Sequence, residues 1–166
     1  MATHSLRLAL SLVLGILITV GGCSESPSNA SRLEQVEASY AKGSTVVGSS
    51  VSQLVGPEGG TIVIPGGHSL SFPEGALTEA TLITAKSDLV FLSIEFGPHG
   101  LTFPAEKAPT LTMSYEAAKN DVGTLHIAYL DDAGRITEVL PTTDDKAAKK
   151  ARAEIGHFSR YALVGH

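Results

Sequence analysis

Apolar and polar positions divide the chain into three stretches. Residues 8–20 form an apolar run broken only by Ser11, Gly15 and Thr19. The run is shorter than the about 20 apolar residues that a helix needs to cross a bilayer core. Behind the weakly basic start at Arg7 it reads as the centre of a signal-peptide helix occupying residues 1–22. Residues 23–55 are rich in Ser, Ala, Gly and Asn and poor in large apolar side chains. They bury too little surface to offset the entropy of ordering, and they read as a flexible tether. Inside that tether Leu33, Val36 and Tyr40 fall near one helical face, which allows a short helix around residues 31–41.

From Gly56 to the end, over residues 56–166, the period changes to two and the segments are bounded by Gly, Pro and Asp. In His68-Ser69-Leu70-Ser71-Phe72 and in Leu92-Ser93-Ile94-Glu95-Phe96 apolar residues alternate with polar ones, as half-buried strands require. Leu111, Met113 and Tyr115 repeat the pattern, and so do Leu125, Ile127 and Tyr129. Ile136 to Leu140 can return across a turn at residues 131–134, and Pro141 ends that strand because it lacks an N–H. Residues 144–154 carry helix-favouring Ala and Lys, yet Ala151, Ala153 and Ile155 alternate, so a strand is expected from about Ala151. A last strand covers residues 161–164. So many short strands in one stretch predict an all-β, antiparallel β-sandwich.

The chain's one cysteine changes the picture of its first stretch. Val20-Gly21-Gly22-Cys23 resembles the lipobox of bacterial lipoprotein precursors, an aliphatic residue and two small ones before the cysteine. The resemblance implies cleavage between Gly22 and Cys23, lipid on Cys23, and a chain anchored to a membrane of the cell envelope. Each buried CH₂ contributes about 0.8 kcal/mol, so attachment through several acyl chains is stable. Ser24 resembles the signal for the outer membrane in cells that have two. With Cys23 lipidated, the mature chain has no thiol left for a disulfide.

Net charge excludes one class of partner. The chain carries a formal −5, and loss of residues 1–22 removes Arg7 alone among its charged groups, which leaves the remainder more acidic still. Such a surface argues against nucleic acid.

Three stretches within residues 56–165 together resemble a ZU5 domain, a β-sandwich module of receptors, ankyrins and adaptor proteins that is also found in bacterial envelope proteins. The first is Gly59-Gly60 with Leu70-Ser71-Phe72-Pro73-Glu74-Gly75-Ala76-Leu77. There Pro73 sets φ for a turn, Gly75 takes φ > 0, and Ala76 and Leu77 re-enter the core. The second, Phe96-Gly97-Pro98-His99-Gly100-Leu101-Thr102-Phe103, is similar to the family's Gly-Pro-x-Gly turn, after which a strand begins at Phe103 and Pro104. The third is His157-Phe158-Ser159-Arg160-Tyr161. The resemblance implies protein–protein contacts and no general enzymatic activity.

His157-Phe158-Ser159 also looks like the self-cleavage site of some ZU5-containing adaptors. In that chemistry Ser159 Oγ attacks the Phe158 carbonyl, the amide becomes an ester, and water hydrolyses it. His157 takes the serine proton, and strain in the 158–159 peptide lowers the barrier. Strand alternation by itself explains the same residues, with Phe158 inside and His157 and Ser159 facing solvent. His68, His99, His126 and His157 have no Cys or Asp/Glu at metal-ligand spacing, so no metal is expected. Asp131-Asp132 and Asp144-Asp145 lack the spaced oxygens of a calcium loop and read as turn residues. Glu74, Glu79 and Glu95 do not converge as an acid–base set. Gly59-Gly60 and Gly66-Gly67 precede strands rather than helices, and no cofactor fingerprint is present.

Overall fold

Alternation leaves each strand with one apolar face, and two such faces hide from water by stacking. The computed structural model describes residues 33–36, 49–88, 90–118 and 123–165, and these form two antiparallel sheets packed face to face. In chain order the strands are β1 (Glu34–Gln35), β2 (Ser50–Val55), β3 (Gly60–Ile64), β4 (His68–Phe72), β5 (Thr81–Ser87) and β6 (Ser93–Gly97). They continue with β7 (Thr110–Ser114), β8 (Leu125–Leu130), β9 (Ile136–Val139), β10 (Thr143–Asp145), β11 (Lys150–Glu154) and β12 (Arg160–Gly165). A 3₁₀ turn at Ala105–Lys107 is the one helical element among the described residues. None of their helices is long and apolar enough to cross a membrane.

The larger sheet runs β2-β5-β6-β12-β8-β9, and the smaller runs β10-β11-β7-β4-β3. Strand β12 is paired along both edges: β8 takes one, and β6 and β1 share the other, at residues 160–162 and 164–165. Ile62, Ile64, Leu70, Phe72, Leu111, Met113, Ala151 and Ala153 face inward from the smaller sheet and are buried. Ile83, Ala85, Ile94, Phe96, Ile127, Tyr161 and Leu163 meet them from the larger one. The strands expected at residues 68–72, 92–96, 111–115, 125–129, 136–140, 161–164 and from Ala151 are all present within a residue or two.

The glycine pair and the proline turn of the first motif meet in space. Gly59 N–H bonds the Gly56 carbonyl at 3.0 Å, closing the β2–β3 turn, and Gly75 N–H bonds the Pro57 carbonyl at 2.7 Å. Gly59 has φ +76°, and a Cβ there would run into the Phe72 carbonyl, so the two turns approach only with glycine at that position. Gly75 has φ +77°, Ala76 N–H bonds the Pro73 carbonyl at 3.1 Å, and Ala76 and Leu77 are buried.

Four expectations need correction. The sandwich begins well before Gly56: β2 pairs along its whole length with β5, and β1 is stitched to β12. Ladder hydrogen bonds order these stretches where side-chain burial alone would not. Residues 33–36 are extended rather than helical, and Val36 enters the core, bonding the Leu163 carbonyl at 2.9 Å. Past the Gly-Pro-x-Gly turn no full strand begins at Phe103: Thr102 forms a lone bridge to His157, and Pro104 opens the 3₁₀ turn. Asp144 and Asp145 lie in β10 rather than in a turn, because they pair with Ala151 and Lys150 of β11, and the Tyr115 hydroxyl donates to Asp144 at 2.8 Å. Burial and that carboxylate push the Tyr115 phenol up to about 12. The signal-peptide stretch, Gly22, Cys23 and the rest of the tether lie outside the described residues.

His68 opens β4 as a buried neutral imidazole whose Nδ1 accepts the Ser114 backbone N–H at 3.0 Å. Burial pushes its pKa down to about 4. The unfolded chain therefore takes up a proton between pH 6.5 and about 4 that the folded chain refuses, and stability is lost as pH falls through that window. Urea titrations from pH 7 to pH 4 should show a loss of about 3 kcal/mol from this group. His68→Gln should flatten the slope over the same range.

Candidate functional site

Two chain crossings between the sheets frame the region around His157. After β9 the chain leaves the larger sheet through Leu140, Pro141 and Thr142, whose hydroxyl accepts the Ile127 N–H at 2.9 Å and donates to the Leu140 carbonyl at 2.8 Å. After β11 it returns through residues 155–159. That return is pinned by backbone bonds from Ile155 N–H to Pro109, Phe103 N–H to Gly156, Phe158 N–H to Leu101 and Phe96 N–H to Ser159, all 2.8–3.0 Å.

Phe158 is the anchor of the return. It is 2% exposed, stacks on Phe96 with ring centroids 5.4 Å apart, and meets Phe103 and Phe72 edge-on at 5.2 Å and 6.2 Å. His157, expected to face solvent, is instead half-buried. Its ring stands edge-to-face on Tyr129 at 4.9 Å and lies 6.0 Å from the Tyr161 ring. The Tyr161 hydroxyl donates to the His157 carbonyl at 2.7 Å. Burial first, and the Glu138 carboxylate second, push the Tyr161 phenol up.

Ser159 is half-buried, and among the described residues its hydroxyl has no hydrogen-bond partner, His157 included. The backbone over residues 156–160 contains neither a cis peptide nor a left-handed residue. The structure thus brings His157, Phe158 and Ser159 together as neighbours on one crossing, with the histidine turned to the tyrosines rather than to the serine.

Beside the two crossings lies a cleft of about 580 Å³ lined by Glu138, Arg152, Glu154, His157 and Tyr161, with small apolar residues such as Ala108 and Pro141. Strands β9 and β10 are the edges of their sheets, so the cleft opens at the mouth of the sandwich. Cross-strand register aligns Tyr161, Tyr129 and Glu138 across β12, β8 and β9; of these, exposed Glu138 and the buried Tyr161 border the cleft. Arg152 and Glu154, two residues apart on β11, lie on its outer face, opposite the buried Ala151 and Ala153, and border the cleft from that side. Among the described residues none of Glu138, Arg152 and Glu154 is ion-paired. A larger depression of about 840 Å³ between Gln35, Phe91 and Arg135 offers less, because Arg135 is already held by Asp131 at 2.7 Å.

The other candidates stay apart. Among the described residues no three His, Cys, Asp or Glu side chains gather to hold a metal ion. Asp131 caps its own turn by accepting the Ala133 and Arg135 N–H groups at 2.9 Å. Glu95 lies on the outer face of the larger sheet, bound to Arg160 and His99 at 3.2 Å, while Glu74 and Glu79 are exposed on the loop before β5. Glu138, Arg152, Glu154 and Tyr161 are the functional candidates that sequence reasoning misses. Only the position of Glu138 between apolar Ile136 and Leu140 hints at an acid beside the core. The chain matches no protein-family model and no curated protein.

At this crossing the Phe158 side chain packs in the core while the Ser159 hydroxyl makes no hydrogen bond among the described residues, and mutations should reflect that. Phe158→Ala is expected to cost about 3–5 kcal/mol in urea denaturation, the range for a buried aromatic. Ser159→Ala should change stability by less than about 0.5 kcal/mol.

Proposed function

We propose that this chain is a lipid-anchored, ZU5-like β-sandwich of the cell envelope that acts as a protein-binding module and is not an enzyme. Val20-Gly21-Gly22-Cys23 supports the anchor, with lipid on Cys23 as the attachment to a membrane, the outer one in a cell that has two. Gly59-Gly60, the Pro73-to-Leu77 turn and His157-Phe158-Ser159 support the ZU5 likeness, and the contact between the first two gives that likeness a physical basis. The observation that carries the binding role is the cleft at the sandwich mouth, where Glu138, Arg152 and Glu154 face solvent without ion-pair partners among the described residues. The negative net charge disfavours nucleic acid as the partner.

Self-cleavage between Phe158 and Ser159 is the second reading, motivated by the tripeptide itself. The His157 ring packed on Tyr129, with no bond to the Ser159 hydroxyl, favours a packing role for these residues over that chemistry.

Two measurements check these readings. A denaturing intact-mass spectrum of the purified protein should give one uncleaved mass, the same as Ser159→Ala apart from the oxygen; loss of residues 159–166 from the wild type alone would establish self-cleavage instead. Detergent phase partitioning after expression in a bacterial host should send the wild type to the detergent phase and Cys23→Ser to the aqueous phase. Equal partitioning would refute the lipid anchor.

A further inference from the structure

Resting on the reading of Cys23 as a lipid anchor, we propose that the tip of the β10–β11 hairpin is a contact surface for anionic lipid headgroups. Lys146, Lys149 and Lys150 meet the membrane there, and the sandwich stands on it with this end down.

The point where the chain enters the sandwich decides which end faces the membrane. Because β1 is stitched to β12 through Glu34 and Gly165, only residues 24–32 lie between the lipidated cysteine and the first described residue. Nine residues reach about 30 Å at full stretch. The entry lies at the end of the sandwich where β12 stops and β6 and β8 start. A run of contacts carries that end across to the hairpin. Leu92 N–H bonds the Val36 carbonyl at 2.9 Å, Asp88 N–H bonds the Ser93 carbonyl at 2.9 Å, and the Ser87 hydroxyl reaches the Pro65 carbonyl at 3.5 Å. Gly67 lies against the Ser114 side chain, Ser114 pairs with Lys150, and Tyr115 N–H bonds the Lys149 carbonyl at 2.9 Å. Chain entry and lysine tip thus share one end of the molecule.

Three features of the charge distribution point to an anionic surface at that end. First, none of the three lysines is ion-paired among the described residues. The carboxylates beside them are turned to the chain itself: Asp144 accepts the Tyr115 hydroxyl, and Asp145 accepts the Ala148 N–H at 3.0 Å. Glu34 and Glu116 are exposed at the same end but lie outside the hairpin. Second, Lys149 has φ +50° and is the one left-handed residue other than glycine among those described. Glycine or asparagine would hold that turn with less strain, so the tip carries its cation at a backbone cost. Third, the turns of the opposite end are acidic, with Glu58, Glu74, Glu79, Glu106 and Asp132 all exposed. A negative leaflet attracts the lysines and repels that far end, so the two effects turn the sandwich the same way. With a formal −5 on the whole chain, the attraction belongs to the tip and not to the net charge.

The experiment uses the processed protein, with lipid on Cys23, reconstituted into vesicles of phosphatidylcholine alone or mixed with phosphatidylglycerol. Acylation of Cys23 leaves an introduced cysteine as the only thiol. Ala147→Cys marks the tip and Ala133→Cys the β8–β9 turn at the opposite end, both exposed positions. Each carries a fluorophore that is quenched by lipid bearing a nitroxide on its headgroup. The tip label should be quenched about fivefold more on the mixed vesicles than on the neutral ones, with salt reducing the difference, and the far label weakly on both. Combining Lys146→Gln, Lys149→Asn and Lys150→Gln should cut tip contact by about tenfold or more, with asparagine keeping the left-handed turn and circular dichroism reporting an intact fold. Equal quenching of the two labels, or tip quenching indifferent to lipid charge and to the lysines, would overturn the proposal. Vesicle flotation reads the anchor separately and should carry the protein with both compositions. Flotation with the mixed vesicles alone, lost in the lysine variant, would overturn the anchor and leave the lysine contact standing. No flotation with either would overturn both.

Discussion

Strand β12 lies in the middle of the larger sheet, hydrogen-bonded along both edges, and the rest of the sandwich depends on it. One ladder joins it to β8 over residues 160–165, and the other joins it to β6 and then to β1. Without it the larger sheet falls into two pieces that share no direct pairing, β2-β5-β6 and β8-β9. Its partners come from residues 34–35, 93–95 and 125–130, so nearly all the sequence must be in place before the sheet can close. Such long-range pairing is entropically slow to form and cooperative once formed. It also explains the ordering of Glu34 and Gln35, polar residues held by the ladder, with Val36 delivered to the core behind them.

That central position dictates the crossing that precedes it. A chain leaving β11 in one sheet must reach the middle of the other within residues 155–159, and Phe158 fixes the path by seating its ring among Phe72, Phe96 and Phe103. His157 and Ser159 follow from the same geometry, one against the tyrosines and the other beside β6. The second crossing, from β9 to β10, runs past the same end of the molecule, and the space between the two crossings is the cleft. The cleft at the sandwich mouth is therefore a by-product of connecting the sheets, bordered by charged residues that the core does not need.

Strands whose inward residues are large and whose outward residues are polar are legible in the sequence, and β4, β6 and β7 are of this kind. Strand β5 is not, because its inward residues shrink from Ile83 to Ala85 to Ser87 while Leu82 points outward at 57% exposure, which inverts the contrast. Strand β2 hides for a related reason: Leu54 is 65% exposed, and only its ladder with β5 makes it a strand. Strand β10 is short and carries two aspartates, and it is held by its ladder with β11 and by the hydroxyl of Tyr115, nearly thirty residues away. The tripeptide His157-Phe158-Ser159 is visible as a local motif. The alignment of Glu138 with Tyr129 and Tyr161 is a matter of register between distant segments, which no local pattern encodes.

Native-state hydrogen exchange, resolved amide by amide, tests the central role of β12 most directly. The Phe158, Tyr161 and Leu163 amides should be among the slowest in the protein, exchanging only with global unfolding, while amides of the edge strands β2 and β9 exchange through local opening. Exchange of the Phe158 and Tyr161 amides as fast as those of the edges would contradict it, and would mean that the crossing and its strand open independently of the sandwich.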